Sequence, residues 1–321
     1  MLYVACFMIV KTSDSKSVKP FLNRFKLPNS DSHKGQNGKV LIIGGSSLFH
    51  SASIWAAEIA AHFVDMVHYS STQENNEIFL SLKKKFRNGI VVPHKNILEY
   101  IDEDDVILIG PGMVRGKLNK KLKMKNKKFS DILKIQDEAE YTYHLTKYLL
   151  ENFPNKKFVL DAGALQMMEP EWLLNLKTKA ILTPHQGEFE KLFGFSVSPS
   201  ISLRMNQYSV EKKSIAVEEQ AKKYRCIILL KAVDDYISDG DTSYIVKGGN
   251  AGLTKGGTGD VLAGLVSSFY SKNQAVESCV MSSFILKKTA EQLFLGKAYW
   301  YNISNIIEHI PSTINQLNFT K

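Results

Sequence analysis

The sequence predicts an α/β protein in which helices cover both faces of a mostly parallel sheet. Short apolar runs of buried-strand length recur along the chain, and several of them end in glycine or polar residues. Segments with apolar residues at helical spacing alternate with these runs, which is the pattern of a three-layer αβα sandwich. A chain of 321 residues is long enough for one such domain, and no repeat or linker divides it. We therefore predict a single domain over residues 1–321.

The strongest strand predictions are buried runs that lead into loops, at residues 40–45, 106–112, 158–165, 180–185 and 226–231. Weaker strand signals lie at residues 67–71 and 89–93. Residues 236–238 and 244–246, separated by Asp239-Gly240-Asp241, are predicted to pair as a hairpin. Helices are predicted over residues 52–64, 131–153 and 276–294 and directly after the glycines at 256–259.

The two ends of the chain carry weaker signals. Residues 1–10 (MLYVACFMIV) are too short to span a bilayer, have no basic segment before them and lead into no A-x-A-like cleavage site. We interpret them as a terminal strand or, alternatively, as an over-extended start with translation beginning at Met8. Residues 11–37 are predicted to form a polar surface arm, and the chain is predicted to end in a polar tail.

The basic charge of the chain is concentrated in one segment. Of the net charge of +9, eight basic residues and no acidic one lie within residues 115–128, so the remainder is near neutral. We interpret this segment as a solvated loop and expect neither a nucleic acid nor a membrane partner, the alternative being contact with RNA, a membrane surface or an anionic metabolite. The three cysteines are far apart in the sequence, which favours a reducing compartment, and we expect the protein in the cytoplasm.

The motif with the clearest chemistry is Gly256-Gly257-Thr258-Gly259-Asp260. Its glycines let several backbone N–H groups point into one small space, and the apolar residues that follow have helical spacing. A helix N-terminus with free N–H groups binds anions, typically phosphate. Because a carboxylate is a poor phosphate ligand, Asp260 is predicted to act on a hydroxyl group that attacks or leaves. The alternative is an ordinary glycine turn with an acidic residue in the first turn of its helix.

Three other strand ends carry polar side chains. Lys231 with Asp234 and Asp235 could frame the ribose and phosphates of a nucleotide, or could be a solvated strand end. In TPHQGE (residues 183–188), His185 could donate to a polar substrate and Glu188 could hold water on Mg²⁺. The alternative makes His185 a capping side chain and Glu188 a favourable first-turn acid. Asp161 ends an apolar strand and is expected to accept hydrogen bonds from a neighbouring loop or to position metal-bound water.

Taken together, these motifs resemble the ADP- or ATP-dependent NAD(P)H-hydrate dehydratase family, whose fold is ribokinase-like. The resemblance covers residues 33 to about 296. It comprises HKG (33–35), GKVLIIGGS (38–46), GPG (110–112), LDAGAL (160–165), TPHQGE (183–188), LLK (229–231) and GGTGDVLAG (256–264). Members of this family are hydro-lyases that repair nicotinamide cofactors that have added water across the dihydropyridine ring.

The resemblance implies a reaction in which ADP or ATP, with Mg²⁺, phosphorylates the ring hydroxyl of the S form of hydrated NADH or NADPH. Phosphate then departs and the reduced cofactor is regenerated. Asp260 would deprotonate the hydroxyl, and the amides of Gly256, Gly257, Thr258 and Gly259 would stabilise the transferring phosphoryl group. Positions implied for the hydrated cofactor are Ala52, Gly112, His185 and Asp260, and those for the nucleotide are Lys231, Ala232, Val233, Asp234, Asp235 and Gly259.

The resemblance also bears on how the chain is organised. Residues 115–130 look like an insertion relative to the family, and the sequence has no counterpart of the epimerase domain of fused members, so a stand-alone dehydratase is predicted. Family membership implies a homo-oligomer, with a tetramer expected. Two alternatives are a ribokinase-like kinase of a small alcohol such as a vitamin precursor, and a non-catalytic nucleotide or RNA binder. His185, where such kinases tend to have asparagine, favours the dehydratase.

Overall fold

The computed structural model describes residues 7–84, 87–118, 127–194, 206–317 and 319. Within these ranges ten strands form one sheet. They are β1 (Phe7–Lys11), β2 (Lys39–Ile43), β3 (Met66–Ser70), β4 (Ile90–Val91), β5 (Val106–Ile109), β6 (Lys157–Leu160), β7 (Ile181–Leu182), β8 (Ile227–Leu230), β9 (Asp235–Ser238) and β10 (Ser243–Lys247).

The strand order of the sheet is β1-β10-β9-β8-β7-β6-β5-β2-β3-β4. Strand β9 runs antiparallel to both β8 and β10, which confirms the predicted hairpin, and the other neighbouring strands are parallel. The registers place Ile43 beside Ile109, Ile109 beside Leu160, and Leu160 beside Leu182. Four neighbouring strands therefore end at one edge of the sheet, where functional groups of such folds collect.

Twelve helices are described alongside the sheet. They are α1 (Ser15–Leu22), α2 (Ser51–Ala60), α3 (Gln73–Ser81), α4 (Ile97–Glu103), α5 (Phe129–Ile132), α6 (Glu138–Asn152), α7 (Ala162–Met167), α8 (Gln186–Phe193), α9 (Asn206–Tyr224), α10 (Thr258–Tyr270), α11 (Ala275–Lys297) and α12 (Ile303–Asn315).

The helices cover both faces of the sheet and produce two separate apolar cores. Alternation along β2 shows the division, since Val40 and Ile42 belong to one core and Leu41 and Ile43 to the other. The first core contains residues of α1, α2, α10, α11 and α12, and the second contains residues of α4, α6, α7, α8 and α9. Burial on both faces explains why the strands appear in the sequence as continuous apolar runs. The predicted three-layer αβα class is confirmed.

Both end segments were predicted incorrectly in part. Residues 11–37 contain helix α1, which begins at the N-cap Asp14 and buries Val18 and Phe21 although Pro20 lies inside it. The predicted polar tail contains α12, whose isoleucines recur at helical spacing and are buried against the first core. A terminal strand is confirmed by β1, whereas residues 1–6, and with them the choice of start codon, lie outside the described part.

Three other segments differ from the prediction. The predicted helix over residues 131–153 is two helices, because Asp137 caps a new helix after α5 has ended. The predicted strand over residues 158–165 ends at Leu160, and the residues after Asp161 form α7. Helices α3, α4 and α9 were not predicted. Of the lysine-rich segment, residues 119–126 lie outside the described part, and Lys127 forms an ion pair with Glu140 at 3.3 Å.

Close packing of α10 on α2 depends on Gly264. A Cβ atom at this position would lie 2.6 Å from the carbonyl oxygen of Ala56 and 2.6 Å from the side chain of Ile59. We expect Gly264→Ala to lower the free energy of unfolding by about 1–3 kcal/mol, because the helix backbones must move apart. Urea denaturation measures this change.

The matched control for that prediction is Gly296→Ala, in the last turn of α11. A Cβ atom there would meet nothing within 4 Å, so the greater helix propensity of alanine should leave stability unchanged or raised by up to about 1 kcal/mol. Equal changes in the free energy of unfolding for the two substitutions would contradict the proposed role of Gly264 in the contact between α10 and α2.

Two observations concern compartment and membrane. Cys226 and Cys279 are buried free thiols, and burial raises the pKa of Cys226 to about 12. Neither thiol is therefore poised to react. Across the described ranges, no helix combines the length and the apolar character needed to cross a membrane.

Candidate active site

The first component of the site is the N-terminal turn of α10. Gly257 is the N-cap residue with φ of 104°, and no side chain caps the helix. A Cβ atom at Gly257 would lie 2.5 Å from the ring of Trp55 and 2.8 Å from Ile303, so only glycine fits there. The hydroxyl oxygen of Thr258 is buried without a hydrogen-bond partner. The predicted turn is thus present, and a Cβ atom at Gly256 would meet nothing within 4 Å, but the predicted role of the Thr258 amide was wrong, because this N–H donates to the carbonyl of Lys255 at 3.2 Å.

Asp260 lies in the first turn of α10 and is half-buried. Burial raises the pKa of Asp260 to about 7, and the charge of Asp161 adds to the effect, whereas the charge of Lys231 opposes it. A carboxyl group whose pKa lies near neutrality can accept a proton and release it again at physiological pH. The chemistry predicted for Asp260 is therefore available to it.

Lys231 and Asp161, whose side chains are 18% and 2% exposed, form an ion pair between two strand ends. The ammonium Nζ of Lys231 donates to Oδ1 of Asp161 at 2.8 Å, and the hydroxyl of Thr183 donates to the same oxygen at 2.9 Å. Burial lowers the pKa of Lys231, but the charges of Asp161 and Glu188 outweigh it, so that the pKa is raised overall. Lys231 is therefore a fixed positive charge.

The ion pair lies directly against the glycine turn. A Cβ atom at Gly259 would be 3.1 Å from Nζ of Lys231, so the lysine ammonium and the backbone of this turn are in contact range. The sequence prediction placed Lys231 at a nucleotide and expected Asp161 to accept hydrogen bonds from a neighbouring loop or to position metal-bound water, but it did not pair them. Their partnership depends on strand β7, which places the ends of β6 and β8 next to its own.

His185 and Glu188 form a capping box at the start of α8. The backbone N–H of Glu188 donates to Nδ1 of His185 at 3.3 Å, and the backbone N–H of His185 donates to the Glu188 carboxylate at 2.9 Å. This is the capping alternative considered for the histidine, yet its side chain is still 56% exposed. The Nε2 atom therefore remains accessible to a substrate, at a distance of 3.5 Å from the Glu188 carboxylate.

Gln166 holds this capping box from the neighbouring helix and was not singled out from the sequence. Its amide nitrogen donates to Glu188 at 2.8 Å, and its amide oxygen accepts from Arg115 at 2.7 Å. The only signal for it in the sequence was its position directly after LDAGAL. Both oxygens of the buried Glu188 carboxylate are thus engaged by protein donors.

Ala52 and Gly112 meet on the other side of the site. A Cβ atom at Gly112, whose φ is 72°, would lie 3.1 Å from Cβ of Ala52 and 2.9 Å from the carbonyl oxygen of Phe49. The amide of Gly45 donates to the carbonyl of Pro111 at 2.7 Å. The loops after β2 and β5 are therefore in direct contact at the carboxyl edge of the sheet.

The residues after Lys231 divide into buried and exposed positions. Asp235 accepts from the backbone N–H of Ala232 at 2.9 Å and from the Ser283 hydroxyl at 2.7 Å, and it pairs with Lys287. Asp234 pairs with Lys247 at 3.3 Å, and Val233 is 89% exposed. Asp235 therefore fixes the shape of this loop, and Val233 lies on its surface.

The sequence of this chain matches a known family of proteins. A family model for NAD(P)H-hydrate dehydratases matches residues 40–312, which is most of the chain. The chain belongs to the NAD(P)H-hydrate dehydratase family. The resemblance found in the motifs is thereby confirmed.

Individual relatives in this family support the assignment. The chain is 35% identical to the ADP-dependent (S)-NAD(P)H-hydrate dehydratase of Nitrosopumilus maritimus, over 87% of this chain and 88% of that protein. It is 31% identical to the bifunctional NAD(P)H-hydrate repair enzyme of Methanocaldococcus jannaschii, over 91% of this chain and 51% of that protein. The chain thus spans about half the length of this bifunctional relative.

Solved structures show the same fold at low sequence identity. The ADP/ATP-dependent NAD(P)H-hydrate dehydratase of Bacillus subtilis, co-crystallised with ATP and Mg²⁺, aligns over 99% of this chain and all of its own, with a TM-score of 0.70 and 19% identity. A ribokinase-like protein of Enterococcus faecalis aligns with a TM-score of 0.74 and 19% identity, over 100% of this chain and 99% of its own.

The side chains that could act as metal ligands limit where a metal ion could bind to this protein. Within the described ranges, no group of three or more His, Cys, Asp or Glu side chains is placed to hold a metal ion. Glu188 already accepts hydrogen bonds on both oxygens. A metal ion that meets Glu188 would therefore share these oxygens with protein donors.

Proposed function

We propose that the protein catalyses the ADP- or ATP-dependent dehydration of the S form of hydrated NADH and NADPH, which restores the reduced cofactors. The observation that carries this proposal is the position of Asp260, a carboxylate with a pKa near neutrality at the open N-terminus of α10, beside the Lys231 ammonium. Relatives named for this activity, including the enzyme of Nitrosopumilus maritimus, support it.

In the proposed mechanism, Asp260 accepts the proton of the ring hydroxyl as the terminal phosphoryl group of the nucleotide is transferred to that oxygen. The amides of Gly256, Gly257 and Gly259 and the Lys231 ammonium would face the phosphoryl group and stabilise the charge on its oxygens, whereas the amide of Thr258 donates within the chain to the carbonyl of Lys255. The carbon–oxygen bond of the phosphorylated ring then breaks. Phosphate departs, the ring nitrogen supplies the electron pair, and loss of a proton from the adjacent carbon restores the double bond.

The proposed binding positions follow from the two sides of the site. Lys231 to Asp235 and Gly259 would bind the nucleotide, with the buried Asp235 holding the loop and the exposed Val233 at its surface. Ala52, Gly112 and His185 would contact the hydrated nicotinamide cofactor. Mg²⁺ would accompany the nucleotide and neutralise phosphate charge, with Glu188 contributing through water. A homotetramer and a cytoplasmic location stay predictions from the family resemblance and the composition.

The test is to incubate purified protein with hydrated NADH, Mg²⁺ and either ADP or ATP, and to record the near-ultraviolet absorbance of the reduced nicotinamide ring. We expect this absorbance to grow with release of one phosphate per cofactor. Growth with one nucleotide but not the other identifies the donor. No growth with either nucleotide, together with a stable phosphorylated product from a small alcohol, would favour the alternative of a ribokinase-like kinase.

The pKa of Asp260 predicts how the rate depends on pH. Only the ionised carboxylate can accept the hydroxyl proton, so kcat/KM should rise as pH increases through about 7 and should level off above it. The measurement is the initial rate from mildly acidic to mildly alkaline pH at saturating nucleotide. A rate that falls over this range as pH increases would contradict the role of Asp260 as a base.

A further inference from the structure

The loop of residues 46–50 lies between β2 and α2 in the sequence and over the carboxyl edge of the sheet. Its backbone approaches the strand β5 side of the site, since the carbonyl oxygen of Phe49 is 2.9 Å from where a Cβ atom of Gly112 would be. Two large apolar side chains lie at the surface of this loop, with Leu48 71% exposed and Phe49 52% exposed. The loop therefore presents apolar surface beside the position proposed for the nicotinamide ring.

One side of this loop is fixed by a buried amide. Asn75 donates from Nδ2 to the backbone carbonyl of Ser46 at 3.0 Å, and its Oδ1 atom forms a short hydrogen bond with Nδ1 of His50. The Asn75 side chain is fully buried and also donates to the Ser71 hydroxyl at 3.0 Å. Asn75 therefore fixes the two ends of the loop, at Ser46 and His50, but does not contact its tip.

Besides the hydrogen bonds that Ser46 and Phe49 make with each other, the tip of the loop is held by an acidic residue from a distant part of the chain. Glu138, in the first turn of α6, accepts from the backbone N–H of Ser47 at 2.7 Å and from the Ser47 hydroxyl at 2.9 Å. Each carboxylate oxygen thus takes one bond, a two-point geometry that restricts rotation of the loop. Hydrogen bonds to an ionised carboxylate are stronger than neutral ones.

We infer that Glu138 is a positioning residue for the hydrated cofactor, because its carboxylate holds the tip of the loop of residues 46–50 against the site. The inference rests on the proposed function. Phe49 and Leu48 would then bound the nicotinamide side of the pocket, while the nucleotide side, around Lys231, is built from other strands. Loss of Glu138 should therefore weaken binding of the hydrate and leave nucleotide binding unchanged.

The experiment combines steady-state kinetics with hydrogen exchange on wild type, Glu138→Ala and Glu138→Gln. In Glu138→Ala the amide of Ser47, which loses its acceptor, should exchange about tenfold faster, and KM for hydrated NADH should rise about tenfold while KM for the nucleotide stays the same. Glu138→Gln keeps an acceptor for one of the two bonds and should recover part of both changes.

The matched control is Glu140→Ala. Glu140 is also an acidic residue in the first turn of α6, but it pairs with Lys127 rather than with the loop. This variant loses the same favourable charge at the helix N-terminus, so it reports any general effect on α6. It should leave both loop exchange and the KM for the hydrate as in wild type.

The outcomes separate the inference from the function on which it rests. Unchanged exchange in Glu138→Ala would overturn the contact as a restraint on the loop, whatever the activity. Faster exchange with an unchanged KM for the hydrate would overturn the role in binding. A wild-type protein without hydrate turnover would refute the proposed function and this inference with it, whereas an active wild type with unaffected variants would refute the inference alone.

Discussion

Replacing Asp260 by asparagine is expected to reduce kcat about 10³-fold, because the amide cannot accept the proton of the ring hydroxyl. Nucleotide affinity should be retained, since the glycine turn and Lys231 are untouched. Turnover of hydrated NADH and equilibrium binding of ADP, measured on the same preparation, check the two parts. Equal losses of turnover and binding would show that Asp260 shapes the site rather than acting in the reaction.

Stability provides the control for the Asp260→Asn variant. The pKa of the carboxyl group is raised from 3.8 to about 7 in the folded protein, so the folded state binds a proton more tightly than the unfolded state does. Stability from this group is therefore present at low pH and is lost as pH rises through about 7. The variant should melt at a higher temperature than wild type in alkaline buffer, and an inactive but stabilised protein cannot owe its inactivity to unfolding.

Lys231→Met is expected to have the second large effect, and it acts on both stability and activity. The substitution leaves the buried Asp161 carboxylate without its cation, which should cost about 3 kcal/mol of folding free energy. It also removes the positive charge next to Gly259, so kcat/KM should fall about 10²-fold. Because the lysine lowers the pKa of Asp260, the rise of rate with pH should move to higher pH. Chemical denaturation and a pH–rate profile measure these changes.

A double variant distinguishes the two roles of Lys231. Adding Asp161→Asn to Lys231→Met replaces the unpaired carboxylate by a neutral amide of the same shape, which should restore most of the lost stability. The activity should stay low, because the positive charge beside the glycine turn is still missing. Recovery of activity together with stability would show that the lysine serves only to neutralise Asp161.

Much of the site could be predicted from the sequence because short local motifs form it. The turn that places Asp260 is made by consecutive glycines, and the ends of apolar strands marked His185 and Lys231. In a parallel sheet these strand ends must share one edge, so their proximity followed from the fold class. The spacing of these residues in the sequence does not reveal the order of the strands in the sheet. That order is what places Lys231 next to Asp161.

The parts of the fold that were missed have two different causes. In α12 the signal was present but was overlooked, since Ile303, Ile306, Ile307 and Ile310 follow helical spacing. For Glu138 no local signal exists, because its partner Ser47 lies 91 residues earlier and the contact depends on how α6 sits across the sheet. Contacts of this kind are made by tertiary structure alone.

The pairing of β1 with β10 has a consequence for how the molecule assembles. Phe7 aligns with Ser243, so β1 can take its place only after β10, which follows every other described strand in the sequence, has been synthesised. Such long-range pairing requires the chain to lose loop-closure entropy before any favourable contact forms, and this slows folding. Met8 and Ile9 are exposed even in the finished sheet. Until β10 has been synthesised, this apolar segment lacks its partner strand, which makes β1 a site of aggregation risk during folding.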